Sequence, residues 1–457
     1  MIPAQQVVEL VLDEAARSGR ANETLVLVTD RTEASLRWAN NSMTTNGISV
    51  SRGTTVISVV RLGDSAHVGS LRSAEVDPAA IPGLVAASQE AARSAPAARD
   101  AAPLLAGGGP PDDWDTPARG TGVEAFADVV GPLSRGFRGG DQLYGFARHV
   151  VETTFLASST GLRRRYTQPT GSVEITAKRA AASAWAGVGT PDFPAVPTDL
   201  LLERLSTRLG WARRTVELRP GRYETIMPPS TVADMMICLR LRMSGRAAQE
   251  GRTAFASAGG GTRLGDRLTD MPLSLYSDPS APGLACSPFI ATPRSSEMVS
   301  VFDNGMDFGR VDWIRDGVIN ALAYPRAAAA EFRAPVAVAA DNLLMTGGSA
   351  DLAEMLAGTE RGLLLTTLWY IREVDPTTLL LTGVTRDGVY LVEDGEVTGA
   401  VNNFRFSESP LDLLRRATQA GVSEATLPRQ WGDWAPRAAM PSLRIPDFHM
   451  SSISQAQ

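Results

Sequence analysis

Residues 228–255 have the sequence Pro228-Pro-Ser-Thr-Val-Ala-Asp-Met-Met-Ile-Cys-Leu-Arg-Leu-Arg-Met-Ser-Gly-Arg-Ala-Ala-Gln-Glu-Gly-Arg-Thr-Ala-Phe255. Ser230 or Thr231 can cap a helix that has Asp234 in its first turn. After this start, apolar residues recur at the spacing of one buried helix face, namely Val232, Met235, Met236, Leu239 and Met243. The pattern predicts an amphipathic helix with a defined beginning.

Four segments from this region to the C-terminus carry a family resemblance. They are Glu250-Gly-Arg-Thr-Ala-Phe255, Gly358-Thr-Glu-Arg-Gly-Leu363, Val392-Glu-Asp-Gly-Glu-Val397 and Met440-Pro-Ser-Leu-Arg-Ile-Pro-Asp447. Together they resemble the TldD/PmbA family of metallopeptidase-like proteins. The resemblance extends diffusely from the N-terminal helix to the C-terminus.

The resemblance places a zinc motif, His-Glu-x-x-x-His, on the predicted helix of the catalytic family members. Counting back without a gap from the segment after the helix, these positions fall near Ile237, Cys238 and Arg242, and none of them reproduces the motif. An aliphatic side chain cannot coordinate zinc, and an arginine would put a fixed positive charge beside it. No histidine lies between His149 and His449, so a shifted register does not restore the motif. The chain therefore resembles the TldE-type (PmbA-type) subunit, which lacks the zinc motif.

This resemblance implies a noncatalytic subunit that pairs with a TldD-like, zinc-bearing subunit. The pair would be a cytoplasmic peptidase acting on unfolded or small modified peptides, with no cofactor in this chain and zinc in the partner. The alternative is a TldD/PmbA-like enzyme active on its own, for example in natural-product tailoring, and a binding scaffold without proteolysis is a third class. We expect the isolated chain either to self-associate, for example as a homodimer, or to expose an apolar face, because a subunit that buries a large interface leaves it open when alone.

Composition limits the functional classes. The chain has 457 residues, of which 44% are hydrophobic and 21% charged, as in a soluble globular protein of about two domains. A net charge of −6 favours neither nucleic acid nor an anionic membrane surface. Cys238 and Cys286 are too few for a disulfide framework and are expected to be core residues. Without a signal peptide or an apolar run of about 20 residues, the sequence predicts a cytoplasmic protein.

Short strand-like segments predict antiparallel meanders in the N-terminal half. The first group lies at 24–29, 34–39, 47–51, 54–61 and 65–70, with turn signals at Asp30–Thr32, Asn46-Gly47, Arg52-Gly53 and Gly63-Asp64. A second group lies at 142–151, 153–158, 162–166, 171–178 and 182–186, after a helix predicted over 122–139. Because the helix-then-meander order recurs, we predict an internal repeat.

The predicted fold class is α+β, with two domains. Residues 1–215 form an N-terminal domain of antiparallel sheets with packed helices and a linker near 95–120, where Ala, Pro and Gly break the periodicity. Residues 220–457 form a β-rich domain, predicted to be a bent or barrel-like antiparallel sheet with helices packed on it.

The candidate site residues are binding residues, with no catalytic or metal-ligating residue assigned. A peptide groove is predicted from residues that follow the helix or could add a cation, aromatic or amide contacts: Arg242, Gly251, Arg252, Thr253, Phe255, Trp369, Asn402 and Asn403. At the lost histidine position, Arg242 could pair with a peptide carboxylate. The basic run Arg163-Arg-Arg165 is predicted to be a solvated face or a contact for an acidic peptide or partner. The competing interpretation, that the groove candidates are turn and core residues, stays open.

Overall fold

The computed structural model describes residues 2–74, 77–107 and 109–455. The predicted domain limits at residues 1 and 457, and residue 108 of the predicted linker, lie outside the described residues. The N-terminal half contains helices α1 (Ala4–Ser18), α2 (Ile81–Ser94), α3 (Ala127–Gly136) and α4 (Thr198–Trp211). Its strands are β1 (Glu23–Ala39), β2 (Ser42–Leu62), β3 (Ser65–Ser73), β4 (Gln142–Ser158), β5 (Arg163–Arg179) and β6 (Ala182–Thr190). They form one antiparallel sheet in the order β3-β2-β1-β4-β5-β6.

The strands of this sheet are longer than the sequence predicts. The turns predicted at Asp30–Thr32, Asn46-Gly47 and Arg52-Gly53 are wrong, because these residues continue β1 and β2. Asp30 lies directly opposite Arg52, and the two side chains form an ion pair with Nη2 and Oδ2 2.7 Å apart, which favours continued pairing. The chain turns instead at Asn40 and Asn41, whose φ angles of 49° and 60° suit the tight turn of a hairpin.

The two faces of the central strands pack against different parts of the molecule. On one face, Val26 and Val28 contact the core under α1 and α2, and Trp38 contacts the core under α3 and α4. On the other face, Leu25 and Leu27 share a core with Phe289 and Phe302 of the C-terminal half. The N-terminal sheet is thus held between its own helices and the rest of the chain.

The order helix, three strands, helix occurs twice in the N-terminal half, from α1 to α2 and from α3 to α4. In each half the third strand covers only part of the second, since β3 pairs with 54–62 of β2 and β6 with 171–179 of β5. The uncovered part of β5, Arg163–Thr170, is half-buried. The uncovered part of β2, Ser42–Ser51, is exposed along its length, and no described strand pairs with its outer edge; we call it the open β2 segment.

The C-terminal half contains a larger sheet. Its strands are β7 (Thr215–Val216), β8 (Gly221–Met227), β9 (Leu275–Ser277), β10 (Val311–Arg315), β11 (Val318–Ile319), β12 (Leu343–Met345), β13 (Arg361–Leu365), β14 (Leu368–Asp375), β15 (Leu380–Thr385), β16 (Val389–Glu393), β17 (Glu396–Val401), β18 (Phe404–Glu408), β19 (Gln419–Thr426) and β20 (Ala438–Ile453). The helices are α5 (Pro229–Arg240), α6 (Gly245–Gln249), α7 (Arg326–Phe332), α8 (Leu352–Ala357) and α9 (Pro410–Arg416). The predicted α+β class is confirmed.

This sheet is mostly antiparallel but contains parallel pairs, which the sequence did not predict. The parallel pairs are β8 with β13, β12 with β20, and β7 with β17. Each joins strands far apart in the chain, as parallel pairing requires a long connection. The predicted boundary between residues 215 and 220 lies next to β7, the first strand of the larger sheet, and it stays a prediction.

Helix α5 lies inside the C-terminal core. Every residue from Thr231 to Leu239 is buried, with β8, β19, β20 and α9 packed around the helix, so the helix is buried on all sides and not on the one predicted face. The predicted capping is also wrong. Ser230 Oγ donates to the carbonyl of Leu427 and Thr231 Oγ to the carbonyl of Pro228, while Pro229 occupies the first turn. None of the helices within the described residues is long and apolar enough to cross a membrane.

Candidate functional site

A cleft of about 570 Å³ opens at the C-terminal end of α5, between the N-terminal sheet and the C-terminal half. One wall is formed by β4 and β5, which contribute Glu152, Tyr166 and Thr170. The opposite wall includes Arg240, the last residue of α5, together with Asp341 and Arg437 from the segments before β12 and β20. We call this cavity the Arg240 cleft.

Arg437 fixes the two walls relative to each other. Its Nη1 lies 3.1 Å from Asp341 Oδ2, and its Nη2 donates to Thr170 Oγ1 over 2.9 Å. The Arg437 side chain is only 11% exposed, so both bonds form in a poorly solvated environment. Hydrogen bonds that involve a charged group contribute more to stability than neutral ones, and they hold β5 against the C-terminal half.

Arg240 carries a positive charge without a fixed partner. Within the described residues its guanidinium makes no hydrogen bond or ion pair, and Asp341 is the charged group that acts on it most. Burial lowers the pKa of Arg240, and the Asp341 carboxylate opposes this shift. An enclosed guanidinium of this kind can bind a carboxylate through two parallel hydrogen bonds.

Asp341 and Tyr166 also have shifted acidities. The protein walls around the cleft raise the pKa of Asp341, while Arg437 and Arg240 oppose the shift. Since 63% of the Asp341 side chain stays exposed to the cleft, we expect this shift to be small. Burial likewise raises the pKa of the Tyr166 phenol, against the effect of Arg437. The cleft thus offers cations, carboxylates and a phenol to a bound molecule.

A smaller cavity of about 170 Å³ continues from the Arg240 cleft and shares Glu152, Thr170, Asp341 and Arg437 with it. Arg31 and Arg148 of the sheet and Trp434 of the loop before β20 also line it. Trp434 is 81% exposed, which makes it a large apolar side chain at the rim. The combined opening extends the site along the sheet from the Arg240 cleft to Arg31 and Arg148.

The residues at the positions where the family resemblance implies a zinc motif do not fit a metal. Ile237 is aliphatic and buried, and burial raises the pKa of the Cys238 thiol to about 12. Arg242 bonds through Nε to Glu373 Oε2 over 2.5 Å. In the described ranges 2–74, 77–107 and 109–455, no group of three His, Cys, Asp or Glu side chains could hold a metal ion.

The histidines lie on separate strands. On β3, His67 contacts Ser65 and the carbonyl of Ala95, and on β4, His149 contacts Thr121. On β20, the backbone amide of His449 donates to Glu408. The Arg240 cleft is lined by other residues.

The structure does not bring the predicted groove residues together. In the turn after α6, Gly251 and Arg252 are exposed, whereas Thr253 and Phe255 are buried. Arg252 pairs with Glu250 and Glu297.

The remaining groove candidates lie elsewhere. Trp369 packs against Arg429, which also lies over Trp185. Asn402 accepts a hydrogen bond from the amide of Leu218, and Asn403 from the hydroxyl of Thr385. Neither these residues nor Arg242 line the Arg240 cleft, and their contact with a peptide stays a prediction.

The basic run is held by contacts inside the chain. Arg163 pairs with Glu9, Arg164 with Asp307 and Arg165 with Asp113. Sequence reasoning missed Arg240, Asp341 and Arg437. The signal for Arg240 was present, because it is a charged residue at the end of an apolar helix pattern, but Asp341 and Arg437 stand in segments without a motif.

The comparison with protein families agrees with this architecture. Residues 220–452 match the model of the family described as "PmbA/TldA metallopeptidase C-terminal domain". The chain belongs to the PmbA/TldD family. No curated protein sequence matches the chain.

Solved structures of similar fold cover the whole chain. TldE from Thermococcus kodakarensis has a TM-score of 0.76 at 15% identity, over 97% of this chain and 99% of that one. A proposed modulator of DNA gyrase from Thermotoga maritima has a TM-score of 0.74 at 14% identity, over 97% and 99%. Another, from Bacteroides thetaiotaomicron, has a TM-score of 0.76 at 13% identity, over 99% and 100%. At these identities the likeness concerns the fold.

Proposed function

We propose that this chain is a noncatalytic, peptide-binding subunit that works with a zinc-bearing TldD-like chain of the same family in a cytoplasmic peptidase. The observation that carries the proposal is the end of α5. The helix is buried and ends at the Arg240 cleft, and by the gap-free count from the family resemblance Ile237, Cys238 and Arg242 take the positions of the zinc motif of catalytic members. The cleft therefore offers binding groups, and the metal would belong to the partner.

The proposed peptide lies across the wall formed by β5. Tyr166 and Thr170 point into the cleft from one face of the strand, and Arg240 stands opposite them. Arg240 would bind the terminal carboxylate of a peptide, and Asp341 with Glu152 would bind its amino group. Such contacts recognise the ends of a peptide more than its side chains, which suits unfolded or small modified peptides of varied sequence.

The proposed partner covers the open β2 segment. Residues 42–51 contain no charged side chain, and Met43, Ile48 and Val50 are 41%, 53% and 68% exposed. The corresponding part of β5 is half-buried against the C-terminal half of its own chain. An exposed, uncharged strand edge is commonly covered in the functional assembly, and a second chain of the family supplies a suitable surface.

Co-expression with a zinc-motif-bearing family member from the same organism tests the proposal. We expect a stable complex on size-exclusion chromatography and zinc in the partner chain. Peptides should be hydrolysed by the complex and not by this chain without the partner. Arg240→Gln should raise KM for a short peptide by about tenfold or more without affecting assembly, because it removes a bidentate carboxylate contact. The matched control Arg242→Gln, two residues further along and outside the cleft, should leave KM within about twofold.

Two results would contradict the proposal. Hydrolysis by the purified chain without a partner would favour the alternative, an enzyme active on its own. If Arg240→Gln leaves the KM of the complex unchanged, the Arg240 cleft does not bind the peptide substrate.

A further inference from the structure

A second large cavity, of about 530 Å³, opens at the other end of α5. It lies between α4 and the C-terminal half, and the first turn of α5, Pro228 to Ser230, forms part of its wall. Trp185 of β6 and Leu200, Arg208 and Trp211 of α4 form the facing wall. We call this cavity the Arg208 cleft. Its volume is within the range of ordinary small-molecule sites.

The walls of the Arg208 cleft are mainly apolar. Trp185 is buried, and Trp211 is half-buried with its ring edge-on to Tyr390 at a centroid distance of 5.2 Å. Leu200 lines the cleft and is 43% exposed. Indole and leucine surfaces of this kind gain free energy when an apolar group displaces water from them.

Two guanidiniums interrupt this apolar surface, Arg204 exposed at the rim and Arg208 half-buried. Arg208 Nη1 donates to the backbone carbonyl of Trp185 over 2.5 Å, and no carboxylate among the described residues pairs with it. Burial lowers the pKa of Arg208, and the positive charge of Arg204 adds to this shift. Glu203 and Glu424 also line the cleft, but both are exposed at its rim. The charge of Arg208 is thus enclosed and uncompensated.

The neighbourhood of Arg208 adds a second positive field and an unsatisfied hydroxyl. The N-terminal end of a helix carries a partial positive charge, and the first turn of α5 lies in the same cleft. The Tyr390 hydroxyl is buried within the electrostatic reach of Arg208 and has no hydrogen-bond partner in the described part of the chain. A positive side chain next to a positive helix end is unfavourable by itself, and a bound anion would relieve both.

We propose that the Arg208 cleft binds a small monocarboxylate with an apolar body, whose carboxylate pairs with Arg208 while its apolar part lies between Trp185, Trp211 and Leu200. This site is distinct from the Arg240 cleft and does not depend on the proposed peptidase partner. Two sources share this chemistry, the C-terminal residue of a peptide and a medium-chain fatty acid, and the probes below separate them.

Calorimetric titration of the purified chain tests the site with N-acetyl-phenylalanine and with octanoate. N-acetyl-phenylalaninamide, which has the same body without the charge, is the matched neutral probe. We expect saturable binding of at least one acid, and binding of the amide weaker by about tenfold or more. Tighter binding of N-acetyl-phenylalanine assigns a peptide C-terminus, and tighter binding of octanoate assigns a fatty acid.

Substitutions locate the carboxylate. Arg208→Gln should weaken binding of the acid by about tenfold or more, whereas Arg213→Gln, two residues after α4, exposed and outside the cleft, should change it by less than about threefold. Three results would overturn the proposal. The first is equal affinity for acid and amide, and the second is binding that Arg208→Gln does not change. The third is no saturation by either acid below about 10 mM, a concentration at which most specific small ligands have already bound. The acid-to-amide ratio of the unsubstituted chain decides the question even if Arg208→Gln does not fold.

Discussion

The two clefts lie at opposite ends of one buried helix and differ in their chemistry. At the C-terminal end of α5, Arg240 and Arg437 share their cleft with Asp341 and Glu152, so two positive charges face two negative ones. At the N-terminal end, Arg208 stands among tryptophan and leucine side chains without a paired carboxylate. A helix end attracts cations at its C-terminus and anions at its N-terminus. Arg240, at the C-terminal end of the helix, is therefore favourably placed without a ligand, whereas Arg208, near the N-terminal end, is not.

Substitution of Arg437 is expected to have the largest effect on stability, because this residue holds the two walls of the Arg240 cleft together. Arg437→Ala removes its bonds to Asp341 and Thr170. We expect the free energy of unfolding to fall by about 1.5–3 kcal/mol, the usual effect of losing a hydrogen bond to a charged group. Urea unfolding followed by circular dichroism measures the change. Arg148→Ala, which removes more exposed ion pairs, is the control, and an equally small effect for both would show a loosely held cleft.

A smaller, pH-dependent effect is expected from Asp234, in the middle of the helix that separates the clefts. Its side chain is fully buried, its Oδ1 accepts from the amide of Gln430, and its Oδ2 has no partner within the described residues. Burial raises the pKa of Asp234 well above its usual value, against backbone hydrogen bonds. The folded state therefore prefers the protonated form, and stability is lost as pH rises from the unfolded pKa towards the folded one.

Asp234→Asn keeps the shape and removes this titration. We expect the stability of the variant relative to the unsubstituted chain to increase as pH rises from about 4, near the ordinary Asp pKa, to about 8. Urea unfolding at three pH values gives the difference, in which the contributions of other groups cancel. A difference independent of pH would mean that folding does not raise the pKa of Asp234 and that its carboxyl group stays hydrated between the clefts.

The smallest effect is expected from Arg242, which lies on α5's exposed continuation outside both clefts. It pairs with Glu373, and 47% of its side chain is exposed. Arg242→Ala should change the free energy of unfolding by about 0.2–1 kcal/mol, as for other solvent-exposed ion pairs. Thermal and urea unfolding check this value. A loss as large as that of Arg437→Ala would show that Arg242 belongs to a buried network.

The sequence predicted much of the fold because local patterns decide it. The α+β class, the N-terminal antiparallel sheet and the presence of a helix at α5 follow from periodicity and turn residues. The strand lengths did not, because the polar pair Asp30 and Arg52 resembles a turn signal until the two residues are seen opposite each other. The parallel pairs escaped prediction for a related reason, since β8 and β13 meet only after a long connection.

The candidate site was harder to predict than the fold. Arg240 and Arg242 are two residues apart and chemically identical, and only the packing around the end of α5 places one in a cleft and the other against Glu373. Asp341 and Arg437 come from different loops that the larger sheet brings together. A single sequence contains no local pattern for such a juxtaposition.

The open β2 segment has a kinetic consequence for the isolated chain. Its ten residues contain neither a charge nor a proline, the two devices that most often keep strand edges apart. Loss of monomer through this edge needs two molecules, so its rate rises with the square of the concentration, whereas unfolding is first order and its half-life does not depend on concentration. The lifetime of the isolated chain against this loss is therefore set by its concentration, and production in step with the proposed partner would prolong it.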